Sequence, residues 1–370
     1  MSSSMPSEST TAPSGSIPWI EERAKAELPE RYFRELERAF GGAWEEAGSC
    51  RDFYLTFGGL TFRLRFPGDH LPEKLLPTLA HLQTGETAKP DYTICCWDDA
   101  ATGSHLKPPS AEMLGDYVSG HLPALTNERF QTFYIEWIPI LSAVDQESGT
   151  AYCCYQDAAK LPMYEISGPF RGILNAVLNR HGMQIIHASA VGTAAGSLLL
   201  AGAPFSGKST LAAMGLQDGL LYQSDDLCVL SAEERPRSLC LYNILKLRED
   251  TLHRVSSLAP FLASFQEEEE RKSSLYVQRH FPEKVLKTAP VRAVVLPRIA
   301  PEPRSELKRA SPVEVIRGVM HQTVKEIPRA DGRGESLMLK ALSRIPAWHL
   351  LVGREERHTL ELMRSLLAEA

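Results

Sequence analysis

Eight residues constrain this chain more than any other stretch: Gly202-Ala203-Pro204-Phe205-Ser206-Gly207-Lys208-Ser209. They fit the spacing G-x-x-x-x-G-K-S. Apolar Leu198-Leu199-Leu200 precedes them and a helical run, Lys208 to Met214, follows. The pattern therefore sits between a strand and a helix, as its mechanism requires. Glycines let the backbone turn tightly and bring its N–H groups close to phosphate oxygens. The helix N-terminus adds partial positive charge where the anion would sit. Lys208 supplies a mobile charge for β- and γ-phosphates, and the Ser209 hydroxyl is placed to reach Mg²⁺. Gly202 through Ser209, with Thr210 behind them, are the expected nucleotide-binding residues.

A nucleotide site also needs carboxylates. Asp225-Asp226 ends an apolar strand seventeen residues after Lys208, a length that suits one helix and a return strand. Adjacent carboxylates beside buried strands repel each other unless a cation or hydrogen bonds compensate. Mg²⁺ could do so; a turn-forming Asp pair is the plainer alternative. His187 closes the strand before the one that leads into Gly202. Taken alone, such a residue is more often a structural histidine.

From about residue 166 onward, strands interleave with helices, which argues for an α/β core. The expected strands are Met183–His187, 197–201, 220–222, 227–230, 291–296 and 348–352. A helix opened by Ser167-Gly168-Pro169 precedes them, with Gly182 as its stop. Ser311-Pro312-Val313-Glu314 is a capping box opening a helix through Met320, and 355–370 is a closing amphipathic helix.

Residues 17–165 read as a separate α+β region without a catalytic pattern. Trp19 to Trp44 is helical, with Gly41-Gly42 as a stop. Phe53 to Phe66 is a hairpin around Gly58-Gly59, with Leu60, Phe62, Leu64 and Phe66 on one face. Leu71–Leu82 reads as a helix; 92–97, 133–138 and 151–155 read as strands. Residues 1–16 carry almost nothing apolar and read as a disordered tail. Glu267 to Lys272 reads as a solvated loop or helix face.

Composition excludes classes without naming a function. Forty basic against forty-six acidic residues give a net charge of −6, which argues against a chain-wide nucleic-acid binder. No apolar run approaches the ~18 residues of a membrane span, and the start lacks a signal-peptide pattern. The seven cysteines include two adjacent pairs and no C-x-x-C, which fits reduced thiols in a cytoplasmic protein.

His187-Ala188-Ser189-Ala190-Val191, Leu198 through Thr210 and Ser224-Asp225-Asp226 together resemble the catalytic core of the HPr kinase/phosphorylase family, whose fold is related to phosphoenolpyruvate carboxykinase. The resemblance covers about residues 183–230. It implies a P-loop kinase core with an N-terminal accessory domain, split near residue 165. It also implies an ATP- and Mg²⁺-dependent kinase acting on a hydroxyl, typically a serine. By position, Ser209 and Asp226 would serve the metal. Asp225 would take the acceptor proton, with His187 as its hydrogen-bond partner and Lys208 on the phosphates.

Two positions depart from the family. Thr210 stands where bifunctional members carry Glu, and their Glu-x-Arg-Gly signature is absent. Its nearest analogue is Lys246-Leu247-Arg248-Glu249. The chain is thus more similar to divergent HPr-kinase-related proteins, some of which phosphorylate a lasso-peptide precursor. The implied partner is a peptide or protein with an acceptor hydroxyl, with neither nucleic acid nor membrane. The oligomeric state stays open, a homo-oligomer included. Lys246, Arg248, Lys272 and Arg298 are candidates for phosphate or acceptor contacts. A small-molecule kinase, for example of free serine, and a non-catalytic ATP-sensing regulator are the alternatives.

Overall fold

The computed structural model describes residues 18–114, 120–267, 270–329 and 331–368. The expected tail over 1–16 lies outside them. The architecture is mixed α/β, with three sheets among the described residues.

The first sheet has seven strands, in the order Gln83–Thr84, Cys50–Phe57, Leu60–Pro67, Tyr92–Asp98, Thr150–Tyr155, Ile140–Asp145, Phe130–Ile135. Its hairpin forms as expected. Phe57 pairs with Leu60 across a two-residue turn, and Gly58 and Gly59 take φ of +59° and +80°. Both positive values match the turn type that follows the natural strand twist. Tyr92–Asp98 lies between two parallel neighbours and is apolar along nearly its whole length, as a doubly covered strand must be. The Pro18–Ala47 helix covers one face through Phe33, Leu36, Phe40 and Ala43.

Several expectations need correction here. Gly41-Gly42 does not stop the first helix. Both glycines have open space around them, and the helix runs on until Gly48, at φ +66°, donates its N–H to the Trp44 carbonyl. Leu71–Leu82 is a short helix, His70–Leu75, followed by a 3₁₀ segment, Leu76–Leu82. Pro77 lacks the N–H that an α-helix would need there. The strand expected at 133–138 ends at Ile135, and a turn leads into a second strand, Ile140–Asp145.

The second sheet has nine strands and carries the phosphate-loop pattern. Along its main path run Leu221–Ser224, Ser189–Thr193, Gly196–Leu200, Thr288–Ile299, Arg237–Leu239, Leu227–Ser231 and Met183–His187. Ala347–Val352 and Glu306–Arg309 extend from the long Thr288–Ile299 strand. Period-two alternation sorts its side chains. Leu199 and Val294 face the helices Pro312–Glu326 and Arg333–Leu342. Leu198, Leu200 and Val295 face the helices Lys208–Gln217 and Glu356–Ala368.

The Arg171–Arg180 helix lies between the two large sheets, and one buried cluster runs from Leu55 through Ile173 to Val229. This helix starts after Pro169, because Phe170 takes φ +62°. Gly182 stops it as expected, at φ +74°. A third sheet, Ile244–Arg248, Glu270–Tyr276 and Ala263–Glu267, packs on the far side of Lys208–Gln217. The expected loop or helix face at 267–272 is thus part of a β-hairpin, with 268 and 269 outside the described residues. All seven cysteines are free thiols, and no described helix is long and apolar enough to cross a membrane.

Candidate functional site

The Gly196–Leu200 strand is locked between an antiparallel and a parallel neighbour, and Ala201 extends the ladder by donating to the Val295 carbonyl at 3.0 Å. The chain then leaves the sheet. Gly202 takes φ +137° and Gly207 φ +98°, values that only glycine adopts cheaply. Gly318 of the Pro312–Glu326 helix crosses over the loop start; a Cβ there would lie 2.9 Å from Leu296 and 4.0 Å from the Gly202 Cα.

The Lys208–Gln217 helix begins directly after Gly207, with no side chain capping its first N–H groups. Such donors, with the helix dipole, make a ready anion site. Lys208 is only 7 % exposed. Its Nζ donates to the Gly202 carbonyl at 3.0 Å and the Ala203 carbonyl at 3.1 Å. Burial pulls its pKa down, while Asp226, Asp225 and Glu326 push the other way. Phe205, at φ +63°, is 70 % exposed, and the Arg248 guanidinium stands 4.8 Å from its ring centre. The buried Ser206 hydroxyl has no hydrogen-bond partner. Ser209 and Thr210 are half-buried on the first helical turn.

Asp225-Asp226 forms the turn between Leu221–Ser224 and Leu227–Ser231. Asp226 takes φ +62°, and its carbonyl accepts the Ala188 N–H at 2.9 Å. This bond ties the turn to the His187–Ser189 crossover. Asp225 is 3 % exposed. It accepts from the Ser189 hydroxyl at 2.7 Å and the Lys246 N–H at 3.0 Å. Burial raises its pKa, and Asp226 adds to the rise. The bonds from Lys246, Ser189 and Ser209 oppose it. Asp226 differs: its side chain is 34 % exposed and pairs with Lys246 Nζ at 2.7 Å. Burial would raise its pKa too, but Lys246, then His187 and Lys208, hold it well below the usual carboxylate range.

His187 is buried, yet its partner is not the expected Asp225. Its Nδ1 pairs with Glu326 Oε2 at 2.8 Å, and its backbone N–H donates to the Thr323 hydroxyl at 2.9 Å. Ser189 and Glu326 are participants to which the sequence gives no role, and Lys246, a candidate for a phosphate or acceptor contact, is paired with Asp226. Ser189 lies two residues from His187, the same-face spacing of an extended chain, so that signal was present. Glu326 ends the helix that the reading stopped at Met320.

The other basic candidates separate. Lys246 and Arg248 share a face of the Ile244–Arg248 strand, and both reach the loop or the Asp pair. Lys272 stands opposite Arg248 on the next strand. Arg298 is exposed one residue before the end of Thr288–Ile299. No cluster of three or more His, Cys, Asp and Glu side chains suited to a metal occurs among the described residues.

No protein-family model matches the chain. No curated protein matches it. It is similar to a solved structure of the Hpr(Ser) kinase/phosphatase from Coxiella burnetii, at 14% identity and a TM-score of 0.28, over 50% of this chain and 99% of that one.

Proposed function

We propose that this protein is an ATP- and Mg²⁺-dependent phosphotransferase that moves the γ-phosphoryl group to a hydroxyl, a serine of a peptide or protein. One observation carries the reading. Lys208 is buried on the loop carbonyls of Gly202 and Ala203, at a helix N-terminus, within electrostatic reach of Asp225, Asp226 and Glu326. A cation held there has an anion's place in front of it and carboxylates beyond.

Gly202 to Gly207 would wrap the phosphates with backbone N–H groups. Ser209 and Asp225 offer hard oxygens of the kind Mg²⁺ takes alongside phosphate oxygens. When bound, the cation neutralises charge on the transferred group. The geometry favours an order opposite to the sequence expectation. Asp225 is enclosed by Ser189, Ser209 and Lys246, which suits the metal side. Asp226 is the more accessible carboxylate and is influenced by His187, which suits the acceptor side. Reach decides a general base before pKa does, and phosphoryl transfer asks little of base strength.

In the reaction the acceptor hydroxyl passes its proton to Asp226. Its oxygen bonds to the γ-phosphorus, and the bond to the β,γ-bridging oxygen breaks, releasing ADP. Lys246 must leave Asp226 for this step, and its ammonium then stands beside the transferred group. Glu326 orients His187 through Nδ1, and the pair steadies the charge next to Asp226.

The test is γ-labelled ATP with the purified protein and a panel of HPr, free serine and serine-containing peptides. Label on a peptide supports the reading. Label on free serine alone makes the protein a small-molecule kinase. ATP binding without transfer to any acceptor makes it a sensor.

A further inference from the structure

A cavity of about 1040 Å³ opens away from the loop. Its walls come from both halves of the chain: the Phe130–Ile135 strand, the turn at Gln146 after Ile140–Asp145, the second half of the Arg171–Arg180 helix, and Pro328 with Arg329 and Arg333. Small-molecule sites span ~300–1,000 Å³, so this one lies at or above their upper limit.

Its lining is unusual in kind. Five of the lining residues carry side-chain amides, among them Gln131, Gln146, Asn175 and Asn179. Gln146 is only 7 % exposed, and its Oε1 has no hydrogen-bond partner, although its Nε2 donates to Gln131 at 3.2 Å. A buried amide oxygen left unpaired costs free energy until a donor arrives. Charges of both signs line the walls: Arg129, Arg180, Arg329 and Arg333 stand with Glu128, Glu147 and Asp331, and Arg129 pairs with Glu147 at 3.3 Å. That mixture does not favour a polyanion, whose binding needs an excess of basic groups. Amide side chains both donate and accept, which matches the alternating N–H and C=O groups of a peptide backbone.

The cavity is tied to the site through the end of one helix. Glu326, the partner of His187, is two residues from Pro328, and the Asn175 amide holds the Pro328 carbonyl at 3.2 Å. We propose that this cavity is the docking site for the polypeptide segment that carries the acceptor hydroxyl. The proposal rests on the phosphotransferase reading for the word acceptor, but the binding it asserts does not need catalysis.

The experiment separates the two. The full chain is immobilised and exposed, without nucleotide, to a random-sequence peptide pool with one central serine. Retained peptides are quantified for wild type, Gln146→Leu, Arg180→Glu and the double variant. Transfer from labelled ATP to the same pool and to free serine is measured in parallel, with Lys208→Ala as control.

Wild type should retain peptides, and the double variant should lose retention at least tenfold. It should show a matching rise in peptide KM with kcat, ATP affinity and melting temperature kept. Lys208→Ala should retain peptides and transfer nothing. Equal retention by wild type and the double variant would overturn the docking site. So would an absence of retention by wild type, or transfer to free serine alone. Retention that depends on the cavity, with no transfer by wild type, would leave the docking site standing and remove the kinase reading.

Discussion

The two large sheets differ in where they bury charge. Across the middle of the N-terminal sheet, and on the helix that covers it, burial acts with little charge to oppose it. Tyr32 is raised beyond its ordinary value, Cys95 is pushed up to about 12, and Cys96, Cys154 and Tyr155 rise well above theirs, each chiefly by desolvation. These groups stay neutral and pack as apolar ones do. In the C-terminal sheet, burial raises Cys228 and Tyr222 in the same way, but the buried charged groups cluster at one end and meet opposite charges. Asp226 meets Lys246, His187 meets Glu326, and Lys208 lies near all three carboxylates. Burying charge is costly unless it is paired. The C-terminal sheet gathers several such charges at one end, while the N-terminal sheet buries Asp145 at a strand end against Arg129. A thiol reagent should reveal the same division. Half-buried Cys50 should react in the native protein and the six buried thiols should react only on unfolding, read by mass spectrometry of labelled peptides.

The largest expected effect lies at the charged edge. Lys208→Ala should abolish phosphoryl transfer, since a lost electrostatic contact to the reacting group costs about 10²–10³-fold alone and ATP binding falls as well. The melting temperature should move little, because the lysine bonds only to its own loop. Transfer at the wild-type rate would remove the loop from the mechanism. Next come the aspartates. Asp226→Asn should lower kcat by about 10²–10⁴-fold with ATP affinity nearly kept. Asp225→Asn should chiefly weaken the Mg²⁺ response, partly rescued by raised Mg²⁺. The reverse pattern in these two variants would restore the order expected from the sequence.

The partner of His187 shows where sequence reasoning stops. The loop, the Asp pair and His187 were legible because their chemistry depends on short spacings within single segments. So was the Gly58-Gly59 hairpin, fixed by its own turn. What pairs with what was not legible. Glu326 reaches His187 across 139 residues of chain, and Lys246 reaches Asp226 from a strand whose own alternation, Leu245 and Leu247 against Lys246 and Arg248, does not say which carboxylate it meets. Gly41-Gly42 misled because a glycine ends a helix only where positive φ is used, and Gly48 uses it instead. The Ile140–Asp145 strand escaped because its residues are buried on both faces and so lack period two.

A smaller effect tests the seam between the halves. His81 is buried beside the Cys240 carbonyl, 3.0 Å from its Nε2, and Asn243 donates to its Nδ1 at 3.3 Å. Burial lowers its pKa to about 4 from an ordinary 6.5. The unfolded chain therefore binds a proton between those values while the folded chain does not. Stability is full above 6.5 and falls as pH drops toward 4, by about 3 kcal/mol at most if each unit is worth ~1.4 kcal/mol. His81→Gln should flatten this part of the curve in urea titrations at several pH values. An unchanged slope would mean that the histidine titrates alike in both states.

The smallest effect concerns the helix that closes over the site. Ser311 accepts the Glu314 N–H, and Glu314 Oε2 accepts the Ser311 N–H at 2.9 Å, the capping box expected from the sequence. The Ser311 hydroxyl and N–H, then His349, pull the Glu314 pKa down to about 2. This contribution is present above the unfolded carboxylate pKa and is lost as pH falls through the folded one. Ser311→Ala should cost about 1 kcal/mol, the usual value of such a cap. The same helix carries Gly318 over the loop start and Glu326 to His187, but the cap lies at its far end. The cost should therefore appear in the urea midpoint and leave kcat unchanged. A fall in kcat with the midpoint kept would mean that the helix start, and not only its two contact points, sets the geometry of the charged edge.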